Sequence, residues 1–243
     1  MPDASGADWD KVLNRLRSPD PELRVFAATD LRMSGRPEAI PLLIGLLQDP
    51  SGKVRTISAL HLSILNAKEA APQVAELIAR EPAPRLRGIA VFVLGNLGRP
   101  EDFETLISAL QDPEPEVRDF ACAALGRLGD SRAFEYLLGA LKDPSGLVRG
   151  AACAALSILG DLAALEPLRA ILEDSDDGVR LHALMALTQI GDEQARAALV
   201  QRYEAKDFPA PYHERIVGQV LGLLPPFGES DEEGDEGAES STP

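Results

Sequence analysis

Aromatic residues make up only 5% of this 243-residue chain, and there is a single tryptophan. Strands favour aromatic and β-branched side chains, so a chain dominated by alanine and leucine suits closely packed helices and not a β-protein. Positive charge is also short: 24 Lys and Arg stand against 39 Asp and Glu, a net charge of −15. A negative body does not attract phosphate backbones, which disfavours general nucleic-acid binding. No run approaches the roughly 18 apolar residues that a membrane span needs. The opening Met1-Pro2-Asp3-Ala4-Ser5-Gly6 lacks both the basic and the apolar part of a secretory signal. The cytoplasm is therefore the expected compartment. Dinucleotide, Walker, nucleophile-elbow and Cys-x-x-Cys patterns do not occur.

What is there is a repeat. Arg24, Arg55, Arg87, Arg118, Arg149 and Arg180 recur at steps of 31, 32, 31, 31 and 31 residues. Seven residues after each comes Leu31, Leu62, Leu94, Leu125, Leu156 or Leu187. Eleven after comes Gly35, Asn66, Gly98, Gly129, Gly160 or Gly191. Three after, the residue is always small: Ala27, Ser58, Ala90, Ala121, Ala152 or Ala183. A period of this length means a solenoid of stacked helix pairs, and the small row lets neighbouring helices approach closely. Cys122 and Cys153 each follow their arginine by four residues. Equivalent helices stack roughly 8–10 Å apart, beyond the disulfide Cα reach of about 7 Å. Both are expected to be small core residues in a reducing compartment.

Taken in order, residues 1–7 read as a flexible start and 8–18 as a capping helix with Trp9, Val12, Leu13 and Leu16 on one face. Residues 19–207 hold six units of helix, tight turn, helix. In the fourth, Asp112-Pro113 closes the preceding helix. The first helix runs over Pro115–Leu128 with Val117, Phe120, Ala121, Ala124, Leu125 and Leu128 on its apolar face. Gly129 stops it, and Asp130 or Ser131 caps a second helix over about Arg132–Lys142. Asn66 replaces the glycine in the second unit, which also carries the extra residue and a proline-crowded joint where a kink is expected. Residues 208–226 read as a closing helix. Residues 227–243, with seven acids and no Lys or Arg, are too acidic and polar to order.

The Asp-Pro joint, the Val/Leu-Arg opening and the Gly-Asp turn resemble the short HEAT-like repeats of the phycobilisome-lyase type, over about residues 8–205. The resemblance implies an all-α, right-handed α-solenoid of HEAT-type helix pairs with a cap at each end. In that family the joint acid and the arginine form a polar ladder between units. This assigns a structural job to Asp49 with Arg55, Asp112 with Arg118 and Asp143 with Arg149, and to Arg180. A six-fold arginine row also reads as an anion-binding strip. Deoxyhypusine hydroxylase resembles this fold and binds di-iron through several His-Glu pairs. This chain has only His61, His182 and His213, and the single His213-Glu214 pair cannot supply such a centre. His182 reads as a half-buried packing residue. Bilin-lyase subunits share these repeats, and Arg132, Tyr136 and Arg169 are the residues here that suit a tetrapyrrole, though without a pocket motif. DNA glycosylases of this fold carry basic aromatic faces, which this chain lacks.

No metal, cofactor or catalytic residue is thus expected, and what remains is surface. In HEAT solenoids the second helices line the concave face. Pro41, Pro72, Glu104, Glu135, Glu166 and Ala197 fall in one row, and Gly45, Glu76, Ser108, Gly139, Ala170 and Gln201 in the next. Thr105, Tyr136, Arg169, Glu173 and Glu204 lie beside them. Acids roughly 10 Å apart are within about a Debye length, so their potentials add. The expectation is a scaffold or adaptor that is not an enzyme. It holds a basic or amphipathic protein segment through Glu76, Glu104, Thr105, Ser108, Glu135, Tyr136, Glu166, Arg169 and Glu173. A plain solvated face and a bilin-handling subunit are the alternatives.

Overall fold

The computed structural model describes residues 6–207 and 211–224. The start expected over 1–7 lies mostly outside these residues, and the acidic tail expected over 227–243 lies wholly outside them. Among the described residues there are fourteen α-helices and no strand, an all-α solenoid. They form two compact units, Met1–Leu159 and Gly160–Pro243.

In the first unit α1 (Gly6–Leu16) packs on α2 (Pro21–Ser34). First helices α2, α4 (Gly52–Ile64), α6 (Pro84–Leu97), α8 (Pro115–Leu128) and α10 (Gly146–Leu159) alternate with second helices. These are α3 (Ala39–Leu46), α5 (Ala71–Arg80), α7 (Phe103–Ala109) and α9 (Phe134–Ala140). The joint acid makes each turn. Asp49 accepts from the Ser51 N–H at 2.8 Å, Asp112 from Glu114 at 3.0 Å and Asp143 from Ser145 at 2.8 Å. Each bond satisfies an amide where the previous helix has ended and the next has not begun. At the far end of α8, Gly129 takes φ +69°, and Asn66 takes φ +49° at the same place after α4. Asparagine tolerates that left-handed geometry better than most residues.

The second helices are shorter than their sequence pattern. Over the span expected for one helix, Ser131–Ala133 is a single 3-10 turn and α9 begins only at Phe134. The Asp130 carboxylate accepts from the Arg132 N–H at 2.9 Å, and the Ala133 N–H bonds the Asp130 carbonyl. That tight i, i+3 closure starts the element as 3-10.

The core follows the repeat. The small row and the leucine row are fully buried through both units. In α8, Val117, Ala121, Ala124 and Leu125 are buried, but Phe120 and Leu128 are only half-buried. Cys122 and Cys153 are buried free thiols, and burial pushes the Cys122 thiol up to about 12. Where the C-terminal halves of α6, α8 and α10 meet, backbones touch. A Cβ on Gly95 would lie 2.7 Å from Ala124 Cα, and one on Gly126 would lie 2.8 Å from Ala155 Cα. The equivalent place between α2 and α4 holds Arg32 and a buried His61.

The second unit comprises α11 (Leu165–Ala170), α12 (Asp177–Ile190), α13 (Glu193–Ala205) and α14 (Pro211–Val220). Its core is Leu168, Leu181, Leu187, Leu199 and Val217. His182 is half-buried, its Nδ1 2.7 Å from the Gly178 carbonyl. The side chain of His213 lies outside the described residues. Among the described residues, no helix is long and apolar enough to cross a membrane.

Candidate functional site: arginine clamps and the second-helix face

The arginine row and the joint acids form clamps, with a pairing displaced by one unit from the expected one. The family ladder pairs Arg55 with the joint acid Asp49 six residues before it. Instead Arg24 holds that carboxylate, with Nε and Nη2 at 2.7 and 2.8 Å. Arg87 grips Asp112 at 2.6 and 2.8 Å, and Arg118 grips Asp143 at 2.7 and 2.9 Å. Arg55 takes Glu81 at 2.9 and 2.7 Å. The acid six residues upstream contributes its main chain. Nη1 of Arg55, Arg118 and Arg149 donates to the carbonyls of Asp49, Asp112 and Asp143 at 2.8–2.9 Å.

The displacement has a geometric cause. Sharing a joint turn leaves the near acid's carboxylate occupied by its own Asx bond and turned toward the preceding unit. Only its carbonyl faces the following arginine. Arg24, Glu81 and Arg87 were absent from the expected ladder although they occupy the same repeat positions, and that periodicity was the available signal. The hydrogen bond from Arg87 holds the Asp112 carboxyl below the usual carboxylate range, and Arg118 does the same for Asp143. With every guanidinium of Arg24, Arg87 and Arg118 directed at an acid and a carbonyl, the row is not an anion strip in the first unit. In the second unit Arg180 donates to the Asp174 carbonyl at 2.7 Å and to Asp177 at 2.8 Å.

The surface candidates fall in both units. Glu76, Glu104, Thr105, Ser108, Glu135 and Tyr136 stand on α5, α7 and α9 of the first; Glu166, Arg169 and Glu173 stand in the second. All nine are exposed except Thr105, which is half-buried. Two neighbouring clefts open along the first unit's second helices. One, of about 590 Å³, lies between Ala75, Ile78, Thr105 and Ser108. The next, of about 560 Å³, lies between Gln111, Glu135, Tyr136 and Gly139. Arg87 with Asp112 lines the first and Arg118 with Asp143 the second. The small residues Ser108 and Gly139 leave the space.

The acids are not equally available. Arg80 lies 3.7 Å from Glu76, and Arg132 feels the charge of Glu104. In the second unit Arg169 bonds Glu166 at 2.5 Å and Asp192 at 2.8 Å. Arg132 is held by Asp130 at 2.7 Å and lies 4.1 Å over the Phe103 ring. Tyr136 meets the same ring edge-on at 6.3 Å. Among the described residues, no group of three or more His, Cys, Asp or Glu is placed to hold a metal ion.

The chain matches the family model of HEAT repeats three times, over residues 9–95, 74–157 and 137–210, and it belongs to the HEAT-repeat family. Similar solved structures include YibA of Escherichia coli, 20% identical with a TM-score of 0.60 over 88% of this chain and 81% of that one. The complex of CpcE and CpcF of phycocyanin lyase from Nostoc sp. PCC7120 is 26% identical, with a TM-score of 0.53 over 61% of this chain and 98% of that one. A mutant of Kap121p is 14% identical with a TM-score of 0.62, matching 84% of this chain and 25% of that one. Comparison with curated proteins gives no match.

Proposed function

We propose that this HEAT-repeat chain is a non-enzymatic scaffold that holds a basic or amphipathic protein segment along its second-helix face, the concave side of such solenoids. The observation that carries this reading is the division of labour among polar groups in the first unit. The repeated arginines and joint acids are spent on clamps, whereas Glu135 and Tyr136 stand exposed over a cleft. Glu104 lies one unit earlier in the same row. A lysine or arginine of an extended partner entering beside Glu135 meets a carboxylate, an amide from Gln111 and an aromatic face. Repeat proteins use such extended faces for partners. Glu76 is a further member of this proposed surface in the first unit, and Glu166, Arg169 and Glu173 form a proposed contact of the second unit by itself.

The test is a pull-down with the wild type alongside a Glu104→Lys/Glu135→Lys variant. A protein captured by the first and lost from the second, with helicity unchanged, supports the face. Identical captures place binding elsewhere.

A second reading rests on the likeness to the CpcE–CpcF phycocyanin lyase complex at 26% identity. In it the chain handles a bilin, with Arg132 and Tyr136 beside Phe103 as the contact. A visible band shift on titrating a bilin supports it, and a flat titration removes it.

A further inference from the structure

The two clefts along the second helices of the first unit are the same place one repeat apart. Thr105 becomes Tyr136, Ser108 becomes Gly139, and the pair Arg87 and Asp112 becomes Arg118 and Asp143, each 31 residues on. What differs is the charge left over once the clamps are made. In the first cleft both acids are taken, Glu81 by Arg55 at 2.7 Å and Asp112 by Arg87 at 2.6 Å. Its walls are Ala75, Ile78 and Thr105, and Glu104 does not line it. In the second cleft Asp112 and Asp143 are again clamped, but Glu135 adds a carboxylate that belongs to no clamp. Gln111 adds a carboxamide and Tyr136 an exposed ring. The residue at the Gln111 position one unit earlier is Arg80, which turns back toward the end of α3. It donates to the Gln48 side chain and, at 2.8 Å, to the Leu47 carbonyl.

The two clefts therefore select different side chains. Between charge-paired acids and the Ile78 wall, an aliphatic group is desolvated at little cost, whereas a cation would lose its hydration without gaining a counter-charge. Beside Glu135 and Tyr136 the preference reverses. Spacing then selects the conformation of a segment that fills both. Neighbouring helices of this kind stand roughly 8–10 Å apart. A β-strand returns side chains to one side at about 6.8 and 13.5 Å, and misses that distance. An α-helix presents i and i+7 at about 10.5 Å, but it docks in a continuous apolar groove, and here two separate clefts open, one of them polar. Polyproline II, with three residues per turn and about 3.1 Å per residue, brings the same side round after about 9.3 Å. Such segments are preformed and dock against exposed aromatic rings, as Tyr136 supplies. We propose that the second-helix face of the first unit reads a polyproline II segment by two anchors three residues apart. An aliphatic side chain enters between Ile78 and Thr105, and a lysine or arginine lies beside Glu135. This rests on the reading of that face as a partner-binding one, and adds the conformation and spacing of what it binds.

A proline ruler tests it. Fluorescein-labelled peptides carry a leucine and an arginine, in either order, separated by one, two or three prolines, and their binding to the full chain is read by fluorescence anisotropy. In one of the two orders the two-proline spacing should bind about tenfold or more tighter than the others, because a wrong spacing turns one anchor about 120° away from its cleft. Glu135→Lys should then move the preference from arginine to glutamate at the same peptide position. Ile78→Glu should abolish the advantage of leucine over glycine. Should Ile78→Glu lose helicity, Ala79→Glu, an exposed residue of the same cleft, serves in its place. Equal binding at all three spacings, still weakened by Glu135→Lys, overturns this inference and leaves the partner-binding reading standing. So does tighter binding of a helical peptide whose leucine and arginine are separated by six alanines. If no peptide binds while the Glu104→Lys/Glu135→Lys pull-down still loses a captured protein, the two-anchor rule is again overturned alone. If those captures are identical as well, both fail together.

Discussion

The first helices of the first unit are joined in two different ways. Between α6, α8 and α10 the contact is backbone on backbone, through Gly95 against Ala124 and Gly126 against Ala155. Between α2 and α4 the same place is polar. His61 is buried, with Thr29 Oγ1 3.3 Å from its Nε2, and Arg32 acts on its charge. Arg32 Nε, Ser58 Oγ and His61 Nδ1 are buried there without a hydrogen-bond partner among the described residues. Both regions carry the same arginine clamps at the opposite ends of the helices, so the clamp does not decide how close the helices come. The residue eight past the arginine does. A glycine lets the backbones touch, and an arginine keeps them apart and brings polar atoms into the joint.

The comparison can be broken hardest at its tight side. Gly126→Val places side-chain atoms on the Ala155 backbone and should cost about 3 kcal/mol or more, read as a fall in the denaturant midpoint. Arg118→Ala comes next. It leaves the Asp143 carboxylate part-buried without its guanidinium and strips a donor from the Asp112 carbonyl, at about 3 kcal/mol. Asp143→Asn in the same background should recover part of that loss. On the loose side the sign reverses. Ser58→Ala restores the small residue that the other units carry and removes an unpaired hydroxyl, raising stability by about 1 kcal/mol.

The smallest effect is a pH signature that separates the two regions. Burial holds the His61 pKa below its ordinary value. The unfolded chain then binds the extra proton more readily, so stability is full above about pH 6.5 and declines as pH falls below it. Asp112 and Asp143 are depressed carboxylates, so the clamps contribute above about pH 4 and lose that contribution as pH falls further. Chemical denaturation across pH should show both declines in the wild type. In His61→Phe only the lower should remain.

Much of this was legible in the residues. The 31-residue period placed the small row and the leucine row in the core, and Pro115 and Gly129 marked the bounds of α8. The clamp pairing was not legible, because each joint acid lies six residues before one arginine and twenty-five or twenty-six after another, and the sequence alone does not say which receives its carboxylate. Nor was the exposure of Phe26, Ile64 and Ile158. Apolar residues at helical spacing read as core, and only packing shows that the small row already fills the contact they would have made. The short second helices were hidden too, since one Asx cap winds the first turn as 3-10 without changing the apolar pattern.

The split use of each joint acid, carboxylate backward and carbonyl forward, makes the links interchangeable. A duplicated unit brings an acid for the arginine before it and an arginine for the acid after it, and its own internal carbonyl bond travels with it. Units could therefore be copied or lost in whole steps with each remaining clamp still matched, so the number of repeats was free to drift while the joint stayed the same.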